Sequence, residues 1–397
     1  MQRVSDAGDD DLGFIGVVGV DIDNLFDELR DFGFSPGSTE WFTARICSLV
    51  AIFGLRNYYA TSILMAFVTF LGIWKFFLMI ANRYPKVHKG LALSILFVPS
   101  VFFWGSGLLK DAIVLGALGY LMYFVDIFAR KGFVWKIWSG LIILFCSYII
   151  YNIKSYVIIS LLPSIFIWVV LEFRGRIQSP VLRVLVLPLL LVVSLLGAVG
   201  AFQFLSQYSD KYSVDNVLET AEGMQKWHYA EGEESADEIG RGSGYTLGEY
   251  DSTYGGLLSQ FLPAVNVTLF RPYLWEVKNV AMLAAAIEST IILGFSIFVF
   301  LGLGFFKVLK LLREDSFLLM AVFFAVFFAF AVGFSSYNFG ALVRYKIPCI
   351  PFYLASLFIL RQKVADLKAV KQMRLETRKR RSVKPSNRGL SVHSLSE

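Results

Sequence analysis

Two short motifs place arginine beside carboxylate or tyrosine side chains at the ends of apolar runs. The first, FRPYLWE at 270–276, carries Arg271 and Glu276 just before the apolar run 281–306. The second, ALVRYKIP at 341–348, carries Arg344 at the start of the last apolar run. A charge at the edge of a membrane span is costly unless it is paired, solvated or used. If both edges lie on one side of the membrane, the sequence predicts a cationic site there.

Three further motifs hold polar residues at the ends of other apolar runs. WGSGLLKD at 104–111 carries Lys110 and Asp111, NIKSY at 152–156 carries Lys154, and RNYY at 56–59 opens the first run. Each residue alone has a structural explanation, because lysine and arginine snorkel at span ends and aromatic side chains favour the interface. The combination indicates function, because basic residues on the outer face oppose the positive-inside bias.

These residue types together suit one reaction class. Arginine binds phosphate groups through two parallel N–H donors and keeps its charge, so it suits a lipid-linked diphosphate leaving group. A carboxylate, Asp111 or Glu276, is the predicted catalytic base that takes the proton from an attacking sugar hydroxyl. The predicted substrate-binding residues are Arg271, Arg344, Lys110, Lys154, Tyr273 and Tyr345. The sequence thus predicts glycosyl transfer from a polyprenyl carrier, which needs no nucleotide-binding fold.

The composition predicts an all-α, polytopic membrane protein. The chain has 397 residues, of which 56% are hydrophobic, 16% aromatic and only 17% charged. About nine apolar runs approach the roughly 20 residues that a membrane-crossing helix needs. They are 58–80, 90–104, 108–129, 133–151, 156–173, 181–205, 281–306, 317–334 and 341–360. The run 90–104 is short and contains Pro99, which predicts a broken or tilted helix.

Basic residues fall in alternate loops, which orients the spans. Residues 1–57 are predicted to be an acidic extracytoplasmic segment with an interfacial helix at 41–55. The remaining predicted parts are six spans at 58–205, one large extracytoplasmic loop at 206–279, three spans at 280–360 and a basic cytoplasmic tail at 361–397. The tail is interpreted as an anchor on anionic lipid in preference to a nucleic-acid site.

The chain has three cysteines and three histidines, without metal-ligand spacing. Neither a disulfide framework nor a zinc site is therefore expected. No resident cofactor or metal is predicted, and a divalent cation that accompanies the diphosphate is left open. The expected partners are the polyprenyl-linked sugar donor, membrane lipid and other glycan-assembly proteins, with no nucleic acid.

The motifs at 99–111, 154–156, 271–276 and 344–348 resemble those of bacterial polytopic proteins of surface-polysaccharide assembly. The group includes oligosaccharide-repeat polymerases and lipid-carrier-dependent glycosyltransferases with a type C fold, and the resemblance covers roughly residues 57–360. It implies a multi-pass enzyme of the bacterial inner membrane that acts at the outer face. The chain has lysine at position 154, where the group favours arginine. Type C enzymes place an acidic residue after their first span, and Asp21 or Asp23 would correspond to it if a helix precedes them.

Two other classes remain open. A transporter or flippase of lipid-linked sugars would use the same basic lining, with repeated halves and polar residues near the midplane. A non-catalytic membrane subunit would use the acidic loop and basic tail as docking surfaces. The position of the charges distinguishes these classes, because clustered charges favour transfer and charges spread around a lipid-facing rim favour a scaffold.

Overall fold

The computed structural model describes residues 39–173, 244–248 and 254–383, together with Leu185 and Leu189. Within these ranges the chain is helical, and the only β-type pairing is an isolated bridge between Gly244 and Asn338. The helices are α1 (Thr39–Phe53), α2 (Tyr58–Arg83), α3 (His88–Leu96), α4 (Pro99–Trp104), α5 (Lys110–Arg130), α6 (Phe133–Phe173), α7 (Tyr254–Ser259), α8 (Phe261–Phe270), α9 (Val280–Leu303), α10 (Phe305–Glu314), α11 (Ser316–Ser336), α12 (Phe339–Tyr345) and α13 (Ile350–Val383).

Five of these helices are long and apolar enough to cross a membrane, namely α2, α5, α6, α9 and α11. The pair α12 and α13, bent by 65° between them, makes a sixth if it is one broken span. The prediction of an all-α protein with membrane-spanning helices is therefore confirmed for the described part of the chain. The nine predicted spans are not all present as separate helices, and the predicted span 181–205 lies almost wholly outside the described residues.

The predicted interfacial helix at 41–55 corresponds to α1, which has 15 residues and ends two positions earlier. The predicted span 90–104 is broken into α3 and α4, with Pro99 at the first position of α4. Proline suits that position because its missing N–H would have no partner inside the helix. Neither piece alone is long enough to cross a membrane.

The predicted turn at 152–156 coincides with a kink that divides α6 into two helices. Only Lys154 leaves the helical region, with φ −144° and ψ 77°. The sequence signal was the polar stretch around Lys154 in an apolar run, which indicates an interruption but not whether the helix is kinked or ended.

Side-chain contacts show the direction of the helices. Gly72 of α2 meets Gly119 of α5, and Lys75 lies 5.1 Å above the ring of Tyr123, so residue numbers rise together along the pair. The helices α2 and α5 are therefore parallel, and their last residues lie at one end of the bundle. We call this end the Arg83 face and the opposite end, where α5 begins, the Asp111 face.

The helix α6 begins three residues after α5 ends, at the Arg83 face. Its middle residue, Lys154, pairs with Asp111 at the opposite face. Near its end, Glu172 accepts a hydrogen bond of 2.7 Å from Arg83. The two halves of α6 therefore run to the Asp111 face and back.

Residues 206–279 were predicted to be a hydrophilic loop, but part of this stretch packs into the bundle. The apolar helix α8 buries Ala264, Val267, Thr268 and Leu269. The Thr268 hydroxyl donates to the backbone oxygen of Ala329 in α11 at 2.7 Å. Ten residues are too few to cross a membrane, so a search for long apolar runs does not find this helix.

The crossing of α2 and α5 depends on glycine. A Cβ atom added to Gly119 would lie 2.2 Å from the backbone oxygen of Gly72, so the helices would have to separate. We expect Gly119→Ala to cost about 1–3 kcal/mol of stability, as overpacking does. Gly294→Ala in α9 is the matched control, because a Cβ there meets nothing within 4 Å. Thermal unfolding in detergent measures both, and equal melting temperatures would contradict this account of the crossing.

Charged residues join the helices at the Arg83 face. Asp315 caps the N-terminus of α11 and forms an ion pair with Lys363 at 2.8 Å. It also accepts a hydrogen bond of 2.7 Å from the Tyr84 hydroxyl. Burial raises the pKa of Asp315, but the hydrogen bonds from Lys363, Tyr84 and the Leu318 backbone outweigh it and lower the pKa below its usual value of 3.8.

A lowered carboxyl pKa gives stability that is present above the unfolded pKa and lost as pH falls through the folded one. We therefore expect the melting temperature to fall as pH drops below about 4. Asp315→Asn should reduce this dependence and leave a lower melting temperature at pH 7. An unchanged pH profile in Asp315→Asn would show that other carboxylates produce the acid sensitivity.

Candidate functional site

A carboxylate with two cationic partners lies at the Asp111 face. Asp111 stands in the first turn of α5, and its side chain is 2% exposed. Lys154 Nζ donates to Asp111 Oδ1, and Arg344 Nε donates to Asp111 Oδ2. The Lys154 side chain is 4% exposed and that of Arg344 is 29% exposed, so the arginine is the member that reaches the surface.

Three local features bring these residues together. Asp111 lies at a helix N-terminus, where unpaired N–H groups favour a negative charge. Lys154 is the single non-helical residue of α6, and Arg344 lies near the end of α12. The Asn338 side chain starts α12 by accepting hydrogen bonds from Gly340 N at 2.8 Å and Ala341 N at 3.2 Å. Each charged residue thus sits where a helix starts, breaks or ends.

Aromatic rings cover the two cations. The Arg344 guanidinium lies 5.3 Å from the ring centre of Trp104, the last residue of α4. The Lys154 ammonium lies 4.9 Å from the ring of Tyr345, a predicted substrate-binding residue. These distances are within the range of attractive cation–π contacts. Tyr345 therefore contacts a cation of the site, although the sequence alone gave no partner for it.

The charges around Asp111 do not balance. Two cations share one carboxylate, which leaves one positive charge in excess among these three residues. Lys110, predicted as part of the same site, instead pairs with Glu40 of α1 at 3.0 Å. The hydrogen bond from Lys110 lowers the pKa of Glu40 to about 2. This partly exposed pair holds α1 against α5 and does not neutralise the excess.

A second ion pair joins the two ends of the 270–276 motif. Arg271 Nε donates to Glu276 Oε1 at 3.0 Å and to Oε2 at 3.1 Å, and Arg271 Nη2 also binds Oε1. The backbone N–H of Tyr273 donates to Glu276 Oε2 at 2.7 Å. Both side chains are 19% exposed. Glu276 is thus fixed by three donors and orients the guanidinium.

Aromatic side chains also surround Arg271. Its guanidinium lies 5.2 Å from the ring centre of Phe339, 5.8 Å from Tyr245 and 5.9 Å from Tyr273. The Tyr273 hydroxyl bonds the side chain of Asn266 in α8. Phe339 opens α12, and Arg344 lies five residues later in the same helix. At about 1.5 Å per residue, roughly 8 Å of helix axis separates these two positions.

Polar residues that the sequence analysis did not single out connect the two ion pairs. The buried Lys346 donates from Nζ to Ser289 Oγ at 2.9 Å, and Ser289 donates to the backbone oxygen of Arg271 at 3.1 Å. The adjacent Glu288 accepts two hydrogen bonds from Ser100 at the start of α4, one from the backbone N at 2.8 Å and one from Oγ at 2.6 Å. The sequence could have indicated Glu288, because it is an acidic residue inside the apolar run 281–306 and ionisable residues within spans are functional candidates.

Arg271 and Arg344 thus take part in two different ion pairs, one with Glu276 and one with Asp111. A small pocket of about 10 Å³, lined by apolar residues that include Val101, Leu115 and Pro348, contains none of the predicted site residues. That volume holds about one water molecule, so it is not a sugar site. Among the residues with described positions, no group of three metal-ligating side chains is found.

Comparison with models of protein families, with curated proteins and with solved structures gave no match. Functional inference for this chain therefore depends on the geometry of the site and on the chemistry of its residues.

Proposed function

We propose that this protein is a membrane glycosyltransferase or polysaccharide polymerase that takes its sugar from a polyprenyl diphosphate or phosphate carrier. The observation that carries the proposal is the excess positive charge among three described residues at the Asp111 face, where Lys154 and Arg344 share one buried carboxylate. A buried or half-buried cation without its own counter-ion is costly, and a bound phosphate group offsets that cost.

Arg344 and Arg271 are the proposed diphosphate ligands. Arg344 uses Nε on Asp111, and its remaining guanidinium N–H donors suit a phosphate oxygen. Arg271 lies against Phe339, which is roughly 8 Å from Arg344 along the axis of α12. Two long arginine side chains at this separation can both reach one diphosphate. Positive charge there stabilises the negative charge that develops on the leaving diphosphate.

In the proposed reaction, an acceptor hydroxyl oxygen forms a bond to the anomeric carbon while the bond from that carbon to the diphosphate oxygen breaks. A carboxylate accepts the hydroxyl proton. Asp111 suits this role, because each of its oxygens accepts a hydrogen bond from one cation and keeps a second lone pair for the hydroxyl proton. Glu276 is held by Arg271 and by a backbone N–H, which favours it as the residue that orients Arg271.

The proposed location is the bacterial inner membrane, with the Asp111 face outward. The positive-inside pattern supports this orientation, because the loops that follow α2 and α5 at the Arg83 face carry Arg83, Lys86, Lys89, Arg130 and Lys131. The N-terminal segment and the 206–279 segment then lie outside, the tail lies inside, and nine crossings remain part of the proposal. The reversal of α6 supports two crossings by that helix. Other glycan-assembly proteins remain proposed partners.

A transporter of lipid-linked sugars is the second candidate. The polar link of Lys346, Ser289 and Glu288 lies inside the helical bundle, and two of the predicted spans are broken helices. Both features are typical of transporters. An assay with purified protein and a lipid-linked donor separates the classes, because transfer forms a glycosidic bond and transport leaves the donor unchanged.

The experiment that tests the proposal is the amount and length of surface glycan in cells that carry Arg271→Lys, Glu276→Gln or Asp111→Asn at equal membrane abundance. We expect Arg271→Lys to impair transfer strongly, because the lysine ammonium lacks the planar guanidinium that donates two parallel hydrogen bonds to a phosphate. Loss of the general base should lower the rate by about 100- to 10,000-fold, so the more impaired carboxylate variant identifies the base. Unchanged glycan in all three variants would make these residues structural and would favour a non-catalytic subunit.

A further inference from the structure

The helix α10 connects α9 to α11 at the Arg83 face. It has ten residues, begins after Gly304 at φ 73°, and ends at Asp315, which caps the next helix. Ten residues rise only about 15 Å, half of a hydrocarbon core. Because α10 joins two helices of spanning length at their ends, it is placed where a helix can lie along the membrane surface.

The surface of α10 is divided into three stripes. Val308, Leu311 and Leu312 are buried against the bundle. Phe305, Phe306 and Leu309 are apolar but 67%, 85% and 42% exposed. Lys307, Lys310 and Arg313 form an exposed basic stripe. A helix that needed only water on its outer side would not expose two adjacent phenylalanines beside its protein-facing stripe.

The order of the stripes fits a helix that rests in the headgroup layer. At about 100° per residue, Phe305 and Leu309 border the buried stripe, Arg313 lies between Leu309 and Phe306, and Lys310 and Lys307 lie farther round. Phe305 and Phe306 continue the outward surface of α9, where Phe298 is 61% and Leu301 is 82% exposed. The apolar stripe then enters lipid, and the cations lie at the level of the phosphate groups.

The basic stripe also has little acidic compensation. Lys310 lies 3.9 Å from Glu314, and this pair is mostly exposed. Lys307 and Arg313 have no ion-pair partner among the side chains that the structure describes. An anionic phospholipid complements both the apolar and the basic stripe at once, whereas an acidic protein segment complements only the second.

We propose that α10 is a binding site for the headgroups of anionic phospholipids at the Arg83 face. The phosphate groups contact Lys307, Lys310 and Arg313, and the adjacent acyl chains contact Phe305, Phe306 and Leu309. The site is independent of the proposed glycosyl transfer.

Titration of detergent-purified protein with short-chain phosphatidylglycerol, measured by the shift in melting temperature, tests this site. Each basic residue near an anionic surface contributes about 1 kcal/mol, or about a fivefold change in affinity. The triple variant Lys307→Gln, Lys310→Gln and Arg313→Gln should therefore raise the apparent dissociation constant on the order of 100-fold. The charge-matched control Arg45→Gln, Arg56→Gln and Lys278→Gln, at exposed positions outside α10 and the basic tail, should change it by less than about threefold.

Several results would overturn the proposal. Equal losses in both triple variants would show that general surface charge attracts the lipid. Phosphatidylcholine that stabilises the protein as well as phosphatidylglycerol would exclude headgroup recognition. Polyglutamate that binds with the same dependence on Lys307, Lys310 and Arg313 would indicate an acidic protein partner. If the triple variant does not fold, the single variants Lys307→Gln and Arg313→Gln should each show the fivefold loss, and unchanged affinity in both would reject the site.

Discussion

Asp111→Ala is expected to destabilise the protein by about 3–5 kcal/mol, because it leaves two cations without a carboxylate in a buried site. Asp111 is 2% exposed and Lys154 is 4% exposed, so water cannot replace the lost partner of the lysine. Equilibrium unfolding in detergent measures the change. The control is Asp366→Ala, which removes the exposed partner of Lys86 and should leave the stability nearly unchanged.

A double variant separates the lost charge from the lost side-chain volume. If the destabilisation comes from an uncompensated Lys154, then Asp111→Ala combined with Lys154→Met should be less destabilised than the sum of the two single variants. We expect a coupling of about 0.5–3 kcal/mol, as for residues in one polar network. Additive effects would show that Asp111 and Lys154 contribute independently to stability and do not form one coupled charge cluster.

Arg344→Lys is expected to lower the proposed glycosyl transfer by about 100- to 1,000-fold, the loss that follows removal of one preorganised donor to a developing negative charge. The substitution keeps the charge but removes the planar fork and its contact with Trp104 at 5.3 Å. The rate of transfer from a lipid-linked donor by purified protein measures the effect.

Arg361→Lys is the matched control, because Arg361 lies 5.6 Å from the ring of Phe298 near the other end of α9. Arg361→Lys also replaces an arginine that lies beside an aromatic ring, but this arginine is far from the proposed donor site. We expect it to keep the wild-type rate within about twofold. Equal losses in Arg344→Lys and Arg361→Lys would indicate a general effect on packing.

The sequence predicted the helical class and the charged residues better than their partners. Long apolar runs identified α2, α5, α9 and α11, because burial in lipid requires a continuous apolar stretch. The same criterion missed α8, which is short and buried by protein. It correctly divided α6 at Lys154, because the polar residue that interrupts the apolar run lies at the kink between the two halves.

Ion pairing depends on contacts between residues far apart in the chain. Asp111 and Arg344 are separated by 233 positions, and no local pattern indicates that they share hydrogen bonds with Lys154. Lys110 is adjacent to Asp111 in sequence, yet it turns to Glu40, because neighbouring residues on a helix point in different directions. Arg271 and Glu276 could be paired from the sequence, since a compact turn of five residues brings them together.

Direct binding of the polyprenyl diphosphate is the most decisive measurement. Purified protein in lipid nanodiscs should bind polyprenyl diphosphate, measured by native mass spectrometry, and Arg344→Gln combined with Arg271→Gln should weaken binding at least tenfold while Arg361→Gln does not. This result would support a diphosphate site at the Asp111 face. Equal binding by the wild-type protein and the double variant would contradict the account, because the excess charge there would then have no role in holding the carrier.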